Sequence, residues 1–388
     1  MMRFVFLLML FAAVLIAREP DTARYETRVN FWGEEKEILT FDVKEFPHVR
    51  DPEAYDPEFH VPPVRQDTTG TCWCFSAISF LESELERLGR GKVELSRMYI
   101  VYWEYVEKVR EYFRTHGESL VAEGSQHNAV IERIKQYGTV REQDYSGLVG
   151  VQTVYDHADL IDEISDYLDY VKRNALWNED QGVANVRMIL NRHLGVPPQT
   201  INVDDREVTP KEYASEILQI PLNDYVALIS FKYAPFWEMA EYRVPDNYWH
   251  SKDYYNVPLD VFYNSLKAAI RNGYTAAIAG DVSEPGKYGW HDIAVVPSFD
   301  IPSAFIDQSA RELRFYNESS TDDHGVHLIG YKRYQGEDWF LIKDSASSAW
   351  RGEFNGYHFF HGDYIKLKIL AYMVHRDAVQ DVLAEFES

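Results

Sequence analysis

The clearest alternation of apolar and polar residues begins at Cys72. After it, apolar side chains recur every three or four positions, at Phe75, Ile78, Leu81, Leu85 and Leu88. This spacing aligns one apolar stripe along a helix, and two closely spaced glycines then end it. The sequence therefore predicts an amphipathic helix with Cys72 in its first turn.

Similar patterns predict the other elements of the chain. Predicted helices cover about 97–113 after a Ser96 N-cap, a run through Ile134 that stops at Gly138, and 160–171, 186–194 and 266–271. Predicted strands cover 29–32, 38–43, 276–280, 321–331 and 339–343, the last two joined by a turn at 335–338.

The position of Cys72 at a helix start has a chemical consequence. Unpaired N–H groups and the positive end of the helix dipole favour a thiolate over a thiol, and the thiolate is the reactive form. A nucleophilic cysteine also needs a base and an oxyanion donor. Gln66, six residues upstream across a turn at Gly70, can supply a side-chain N–H to a developing oxyanion.

Residues 66–76 read Q-x-x-x-G-x-C-W-x-F-S and resemble the active-site signature of the papain-like cysteine peptidases. The resemblance implies that Cys72 is the nucleophile and that Gln66 is the oxyanion glutamine. The alternative for a single cysteine is a buried core position. Cys74, two residues on, is expected to be such a core thiol.

Two histidines compete for the role of base. Residues 323–331 read D-H-x-V-x-x-x-G-Y, which is similar to the catalytic-histidine segment of the same family and implies His324 as the base. His327 lies three residues on and faces the other side of a strand, so we expect it in the core. The same parity argues against a metal site, and neither a metal nor an organic cofactor is predicted.

Asp344 stands where the family has the asparagine that orients its histidine. A carboxylate can still accept the imidazole N–H and would raise the pKa of the histidine. Ala346 replaces the tryptophan that shields this hydrogen bond in the family, so we expect a more solvated pair. Simple pairing across the turn sets Asp344 opposite Ile329, and its contact with His324 is implied by the resemblance alone.

Gly124 and Ser125 precede a predicted helix and resemble the Gly-Gly pair that binds the substrate main chain in the family. A simple loop without a role in binding is the alternative for this segment.

The resemblance extends over roughly residues 60–376 and is nearest to the bleomycin hydrolase and aminopeptidase C branch. It implies an α+β, papain-like fold of two lobes in residues 61–388. A helical lobe with insertions, at about 61–220, would pack its nucleophile helix on an antiparallel, β-barrel-like lobe at about 221–388.

The implied activity is hydrolysis of peptide bonds in peptide or protein substrates through a Cys72 thioester. The final residues 377–388 do not match the cleft-blocking tail of that branch closely enough to choose aminopeptidase from endopeptidase action. The departures at Asp344 and Ala346 motivate a second hypothesis, a catalytically silent binding protein of the same shape.

Composition bears mainly on partners and location. The chain has 62 acidic and 39 basic residues, a net charge of −23, which argues against a nucleic-acid partner. Arg3 precedes the uncharged run Phe4–Ala17, which predicts a cleaved export signal at 1–17 and a periplasmic or extracellular protein, with an uncleaved anchor as the alternative. Residues 18–60 would then be a lead-in segment. Two cysteines cannot provide a disulfide framework.

Overall fold

The computed structural model describes residues 23–29, 33–283 and 286–387. The α-helices in these residues are α1 (Cys72–Arg87), α2 (Arg97–Arg114), α3 (His127–Tyr137), α4 (Ala158–Asn174), α5 (Glu179–Leu194), α6 (Pro210–Glu212), α7 (Leu259–Arg271), α8 (Gln308–Tyr316), α9 (Gly362–Lys368) and α10 (Gln380–Ala384).

The strands are β1 (Arg24–Val29), β2 (Glu35–Thr40), β3 (Ile201–Val203), β4 (Arg206–Val208), β5 (Tyr225–Ile229), β6 (Glu238–Ala240), β7 (Tyr254–Asn256), β8 (Ala276–Gly280), β9 (Lys287–Tyr288), β10 (Ile293–Ala294), β11 (His324–Tyr334), β12 (Glu337–Lys343), β13 (Tyr357–His361) and β14 (Ile369–His375). Helices dominate before residue 200 and strands after 225. The α+β class is therefore confirmed, whereas the exact domain boundaries stay predictions.

The predicted helices are present and local sequence explains where they begin. The Ser96 hydroxyl accepts a hydrogen bond from the Tyr99 backbone N–H at 3.1 Å, so Ser96 caps α2 as predicted. Helix α7 starts seven residues earlier than predicted, directly after Pro258. The apolar residues of α1 to α5 share one buried core, and α7 packs in a second core against the sheet.

The second half of the chain contains one sheet of ten strands. Its order is β6-β7-β5-β14-β8-β11-β12-β13-β10-β9. Neighbouring strands are antiparallel except for the pairs β5/β7 and β10/β13, which are parallel. The antiparallel character that the resemblance implies thus holds for the central strands, one of which begins at His324.

The amino-terminal strands are shifted from their predicted positions. Strands β1 and β2 pair antiparallel, with Arg24 opposite Thr40 and Val29 opposite Glu35. The prediction of a strand at 38–43 missed the charged first half of β2, because those side chains are exposed and only pairing with β1 orders them. Residues 30–32 of the other predicted strand, and the predicted signal at 1–17, lie outside the described residues.

The register of β11 and β12 differs from the predicted one. Tyr334 pairs with Glu337 across a two-residue turn at Gln335 and Gly336, whose φ angles of 49° and 91° suit a tight hairpin. A bulge between positions 328 and 330 shifts the pairing further, so that His327 lies opposite Lys343. The prediction that Asp344 lies opposite Ile329 is therefore wrong. Asp344 directly follows Lys343 and so lies one residue beyond the His327–Lys343 pair, on the side of His324.

Buried hydrogen bonds fasten α1 to these two strands. The Ser79 hydroxyl lies 2.8 Å from His327 Nδ1 and accepts a hydrogen bond from Lys343 Nζ at 2.8 Å. All three residues are buried. The prediction that His327 lies in the core is confirmed, and the structure adds its hydrogen bond with Ser79. Among the described residues, no helix combines the length and apolarity needed to cross a bilayer.

We expect Ser79→Ala to lower the free energy of unfolding by about 1–3 kcal/mol, because the buried amine of Lys343 and the ring of His327 each lose a partner. Ser215→Ala is the matched control, since the exposed Ser215 hydroxyl bonds a helical carbonyl, Lys211 O. That variant should stay within about 0.5 kcal/mol of the wild type. Urea unfolding measures both, and equal losses would show that the Ser79 contacts contribute nothing specific.

Candidate active site

Cys72 is the first residue of α1 and is half-buried. Thr71 precedes it as the N-cap residue, and its carbonyl accepts hydrogen bonds from the backbone N–H groups of Cys74 and Phe75. The predicted helix start at Cys72 is confirmed. Its thiol therefore lies where the unpaired backbone N–H groups of the helix end are concentrated.

Cys74 points into the core. Its Sγ lies 3.3 Å from the carbonyl oxygen of Arg97, and its side chain is fully buried. Burial raises the pKa of the Cys74 thiol well above its usual range. The prediction of a core thiol at this position is confirmed. Cys74 is fully buried, whereas Cys72 is only half-buried.

His324 begins β11 and contacts both other members of the predicted triad. Its Nε2 lies 2.7 Å from Asp344 Oδ1, and Cys72 lies near enough to its ring to contribute to the raised pKa of the imidazole. Since Nε2 is used by Asp344, Nδ1 is the nitrogen left for the thiol. Burial lowers the pKa of His324, but the charge and hydrogen bond of Asp344 and then those of Cys72 outweigh it and raise the pKa to about 10.

The expected solvation of the His324–Asp344 pair is wrong. Their side chains are only 6% and 0% exposed. The backbone N–H of Ala346 bonds Asp344 Oδ1 at 2.8 Å, and Lys287 Nζ lies 2.9 Å from Oδ2. Burial alone would raise the pKa of Asp344, but Lys287 and then His324 hold it well below its usual range.

Gly325 allows this strand to approach α1. A Cβ at position 325 would lie 2.8 Å from both Ser76 Oγ and His127 Nε2, and 3.4 Å from the Cα of Trp73. The two distances of 2.8 Å are closer than normal van der Waals contact. The missing side chain therefore lets His324 lie beside the first turn of α1.

Gln66 is buried and held from both sides. Its Nε2 donates to the carbonyl oxygen of Thr69 at 2.6 Å, and its Oε1 accepts from Ser345 Oγ at 2.7 Å. Its backbone N–H donates to Ser345 O at 2.9 Å. Because a primary amide carries two N–H groups, one remains beyond the bond to Thr69. Ser345 directly follows Asp344, so Gln66 is fixed relative to the histidine's partner.

Gly124 and Ser125 lie beside the nucleophile helix, but their surroundings differ from those of a Gly-Gly pair. Trp73 Nε1 donates to the carbonyl oxygen of Glu123 at 3.0 Å, which ties this segment to α1. The buried Ser125 hydroxyl points inward to Glu104 Oε1 at 2.8 Å. At Gly124 a Cβ would collide with the carboxylate of Asp246, which therefore faces the glycine directly.

Comparison with known proteins agrees with the arrangement of these side chains. No protein-family model matches the chain. Its sequence is 24% identical to aminopeptidase C of Listeria innocua over 270 residues, which is 60% of this chain and 61% of that protein. The crystal structure of PepW from Lactobacillus rhamnosis superposes with a TM-score of 0.67 at 18% identity and covers 84% of each chain.

The chain has a papain-like cysteine peptidase fold. The predicted resemblance to this family, nearest to the aminopeptidase C branch, is confirmed. The sequence match covers about three fifths of the length of aminopeptidase C.

Two residues of this papain-like site were missed by sequence reasoning, Lys287 and Asp246. Each is brought in by tertiary structure from a segment without a recognisable motif. The sequence pointed to Lys287 only indirectly. An aspartate at position 344, where the family has a neutral asparagine, needs a cationic partner, but the sequence does not show which one. The described ranges contain no group of three or more histidine, cysteine or acidic side chains suited to holding a metal ion.

The raised pKa of His324 predicts a pH-dependent contribution to stability. With a folded pKa of about 10 and an unfolded value near 6.5, the contribution is complete below about pH 6.5 and is lost as the pH rises through 10. We therefore expect the difference in unfolding free energy between wild type and His324→Gln to be smaller at pH 9.5 than at pH 6. His250→Gln, at a histidine 81% exposed, is the control. An equal difference at both pH values would contradict the prediction.

Proposed function

We propose that this protein is a cysteine peptidase that hydrolyses peptide bonds of peptide or protein substrates. The observation that carries the proposal is the arrangement of three side chains. Cys72 opens a helix and acts on the pKa of His324, whose Nε2 lies 2.7 Å from Asp344 Oδ1. The match to aminopeptidase C supports the same chemistry.

The proposed reaction is acyl transfer through Cys72. The thiolate attacks the substrate carbonyl, and His324 gives its proton to the leaving amine as the peptide C–N bond breaks. The resulting thioester is hydrolysed by a water that His324 deprotonates. The free N–H of Gln66 and the backbone N–H of Cys72 stabilise the oxyanion in both steps. Asp344 keeps the imidazole oriented and favours its protonated form.

Cys72→Ala is expected to abolish hydrolysis of fluorogenic peptide substrates, while Cys74→Ala, which removes a thiol two residues away in the core, is expected to retain it. Loss of the Gln66 amide in Gln66→Ala should lower kcat by about 10²–10³. Steady-state assays of these variants test the proposal. A folded wild-type protein that binds peptides but does not cleave them would instead favour the silent binding protein.

For specificity, we propose aminopeptidase action. The match to aminopeptidase C and the carboxylate of Asp246 over Gly124 support it. A second half-buried carboxylate, Asp322, lies two residues before His324 and accepts a hydrogen bond from Gln126 Nε2 at 2.5 Å. Burial, opposed by that hydrogen bond, raises the pKa of Asp322 to about 7, with a further contribution from Asp246. A substrate ammonium group between Asp246 and Asp322 would stabilise the negative charges of both carboxylates.

Asp246→Asn is expected to lower kcat/KM about tenfold or more for peptides with a free N-terminus, because the ammonium group loses an anionic partner. For N-acetylated peptides, the Asp246→Asn variant and the wild type should have the same kcat/KM. Asp253→Asn, at an exposed aspartate of the same segment, is the matched control. Equal losses for free and acetylated peptides would count against ammonium recognition, and wild-type preference for acetylated peptides would indicate endopeptidase action.

We also propose that the protein is exported, on the strength of Arg3 and the uncharged run 4–17. Expression of the full chain in a bacterial host, followed by fractionation and mass spectrometry, tests this. A processed protein beginning at Arg18 outside the cytoplasm is expected. An unprocessed chain in the cytoplasmic fraction would contradict export, and an unprocessed chain in the membrane fraction would indicate an anchor.

A further inference from the structure

We propose that Lys287 is a positioning residue for the catalytic pair: its ammonium group neutralises Asp344, so that a carboxylate can occupy the place of a neutral asparagine. This inference rests on the proposed function of Cys72 and His324. It goes further by assigning a role to a residue outside the motifs that carry the resemblance.

The contacts of Asp344 divide between its two oxygens. Oδ1 bonds His324 Nε2 at 2.7 Å and the Ala346 backbone N–H at 2.8 Å, and Oδ2 is 2.9 Å from Lys287 Nζ. The Lys287 and Asp344 side chains are 5% and 0% exposed. Water therefore has little access to this ion pair, and the charge of each member is met mainly by the other.

The consequence for His324 follows from the charges. A lone buried carboxylate beside the imidazole would hold the proton on His324 strongly and oppose its transfer to the leaving amine. With the Lys287 ammonium group on the far oxygen, the imidazole faces an ion pair whose net charge is zero. The carboxylate still raises the pKa of His324, but less than a lone aspartate would, because the ammonium group compensates part of its charge.

Lys287 also lies beside the hydrogen bond that a tryptophan shields in the family, since its Nζ is 2.9 Å from Asp344 Oδ2. Position 346 is an alanine, yet the His324–Asp344 hydrogen bond is buried. The lysine carries a long apolar stem that can cover such a bond while its ammonium group makes the ion pair. One side chain therefore supplies both charge compensation and shielding.

The backbone holds Lys287 in position. It lies in β9, where it pairs with Ala294 of β10, and Ala294 pairs with Phe360 of β13. Asp344 is tied to the same region, because its backbone N–H donates to the carbonyl oxygen of Gly356, just before β13. Both members of the ion pair are thus fixed on one part of the sheet.

Other titratable groups also act on the pair and must be considered in any pH experiment. Asp323 and Cys72 interact with His324, and two buried histidines, His127 and His358, lie nearby. Burial is the main cause that lowers the pKa of both these histidines to about 3. They are therefore neutral over the range in which His324 titrates.

The test is the titration of the His324 ring by NMR on histidine-labelled protein in a Cys72→Ala background, with His324→Gln to assign the signal. Lys287→Met should raise the pKa of His324 by about one unit, because Asp344 loses its counter-charge. Asp344→Asn should lower it by about one unit or more, because Lys287 then remains alone. The double variant should lie between the two single variants, and Lys287→Arg should keep the wild-type titration.

Lys36→Met, at a lysine 59% exposed, is the control and should change nothing. Each single charge-removing variant should also lower Tm, and the double variant should recover part of that loss, because it leaves no unpaired buried charge. If Lys287→Met does not fold, the comparison of Asp344→Asn with the double variant still measures the effect of the lysine. Titrations that do not respond to Lys287 in either background would overturn the proposal.

The outcomes also separate this inference from the proposed function. The His324 titration can respond to Lys287 as expected while the wild-type protein cleaves no peptide, in which case the peptidase proposal fails and the role of Lys287 stands. Conversely, the protein can cleave peptides while the titration of His324 does not change when Lys287 is replaced. In that case the peptidase proposal stands and the role of Lys287 is refuted.

Discussion

The proposed chemistry depends on one close approach, between the first turn of α1 and the start of β11. Helix geometry concentrates unpaired N–H groups at Cys72, but a thiol there becomes a nucleophile only with a base beside it. The glycine at 325 makes the approach possible, since any side chain would meet Ser76 and His127. Ser79 secures it one helical turn further along, through hydrogen bonds with His327 and Lys343.

Burial of charge is the main cost of this arrangement. His324 and Asp344 are almost inaccessible to water, and an unpaired ion in such a place would be strongly destabilising. The protein offsets the cost by satisfying each oxygen of Asp344, with His324 and a backbone N–H on one side and Lys287 on the other. The same arrangement makes the site sensitive to any change in the number of charges, which is why single and double variants differ in their expected effects.

Local sequence predicted the parts of the site that local rules govern. The stripe of apolar residues after Cys72 and the N-cap at Ser96 depend on neighbours in sequence, and both helices formed as expected. The register of β11 and β12 was missed by three residues, because a bulge and a tight turn are poorly specified by alternation alone. Because of that error, the sequence placed Asp344 opposite Ile329 and did not predict its contact with His324.

The site residues that the sequence did not predict come from distant segments of the chain. Lys287 and Asp246 belong to no motif, and only the packing of β9 and of the segment before β7 places them beside the site. The solvation of the His324–Asp344 pair was misjudged for the same reason. Loss of the tryptophan at position 346 suggested an open site, whereas both side chains are buried and a lysine from another part of the chain forms an ion pair with Asp344.

The most direct test of the central claim is the rate of Cys72 alkylation by iodoacetamide as a function of pH, with mass spectrometry to distinguish Cys72 from Cys74. If Cys72 and His324 form an activated pair, Cys72 is labelled rapidly well below pH 7, and His324→Ala abolishes that reactivity. Labelling of Cys72 only as an ordinary thiol, with a midpoint near pH 8.5, would contradict the account.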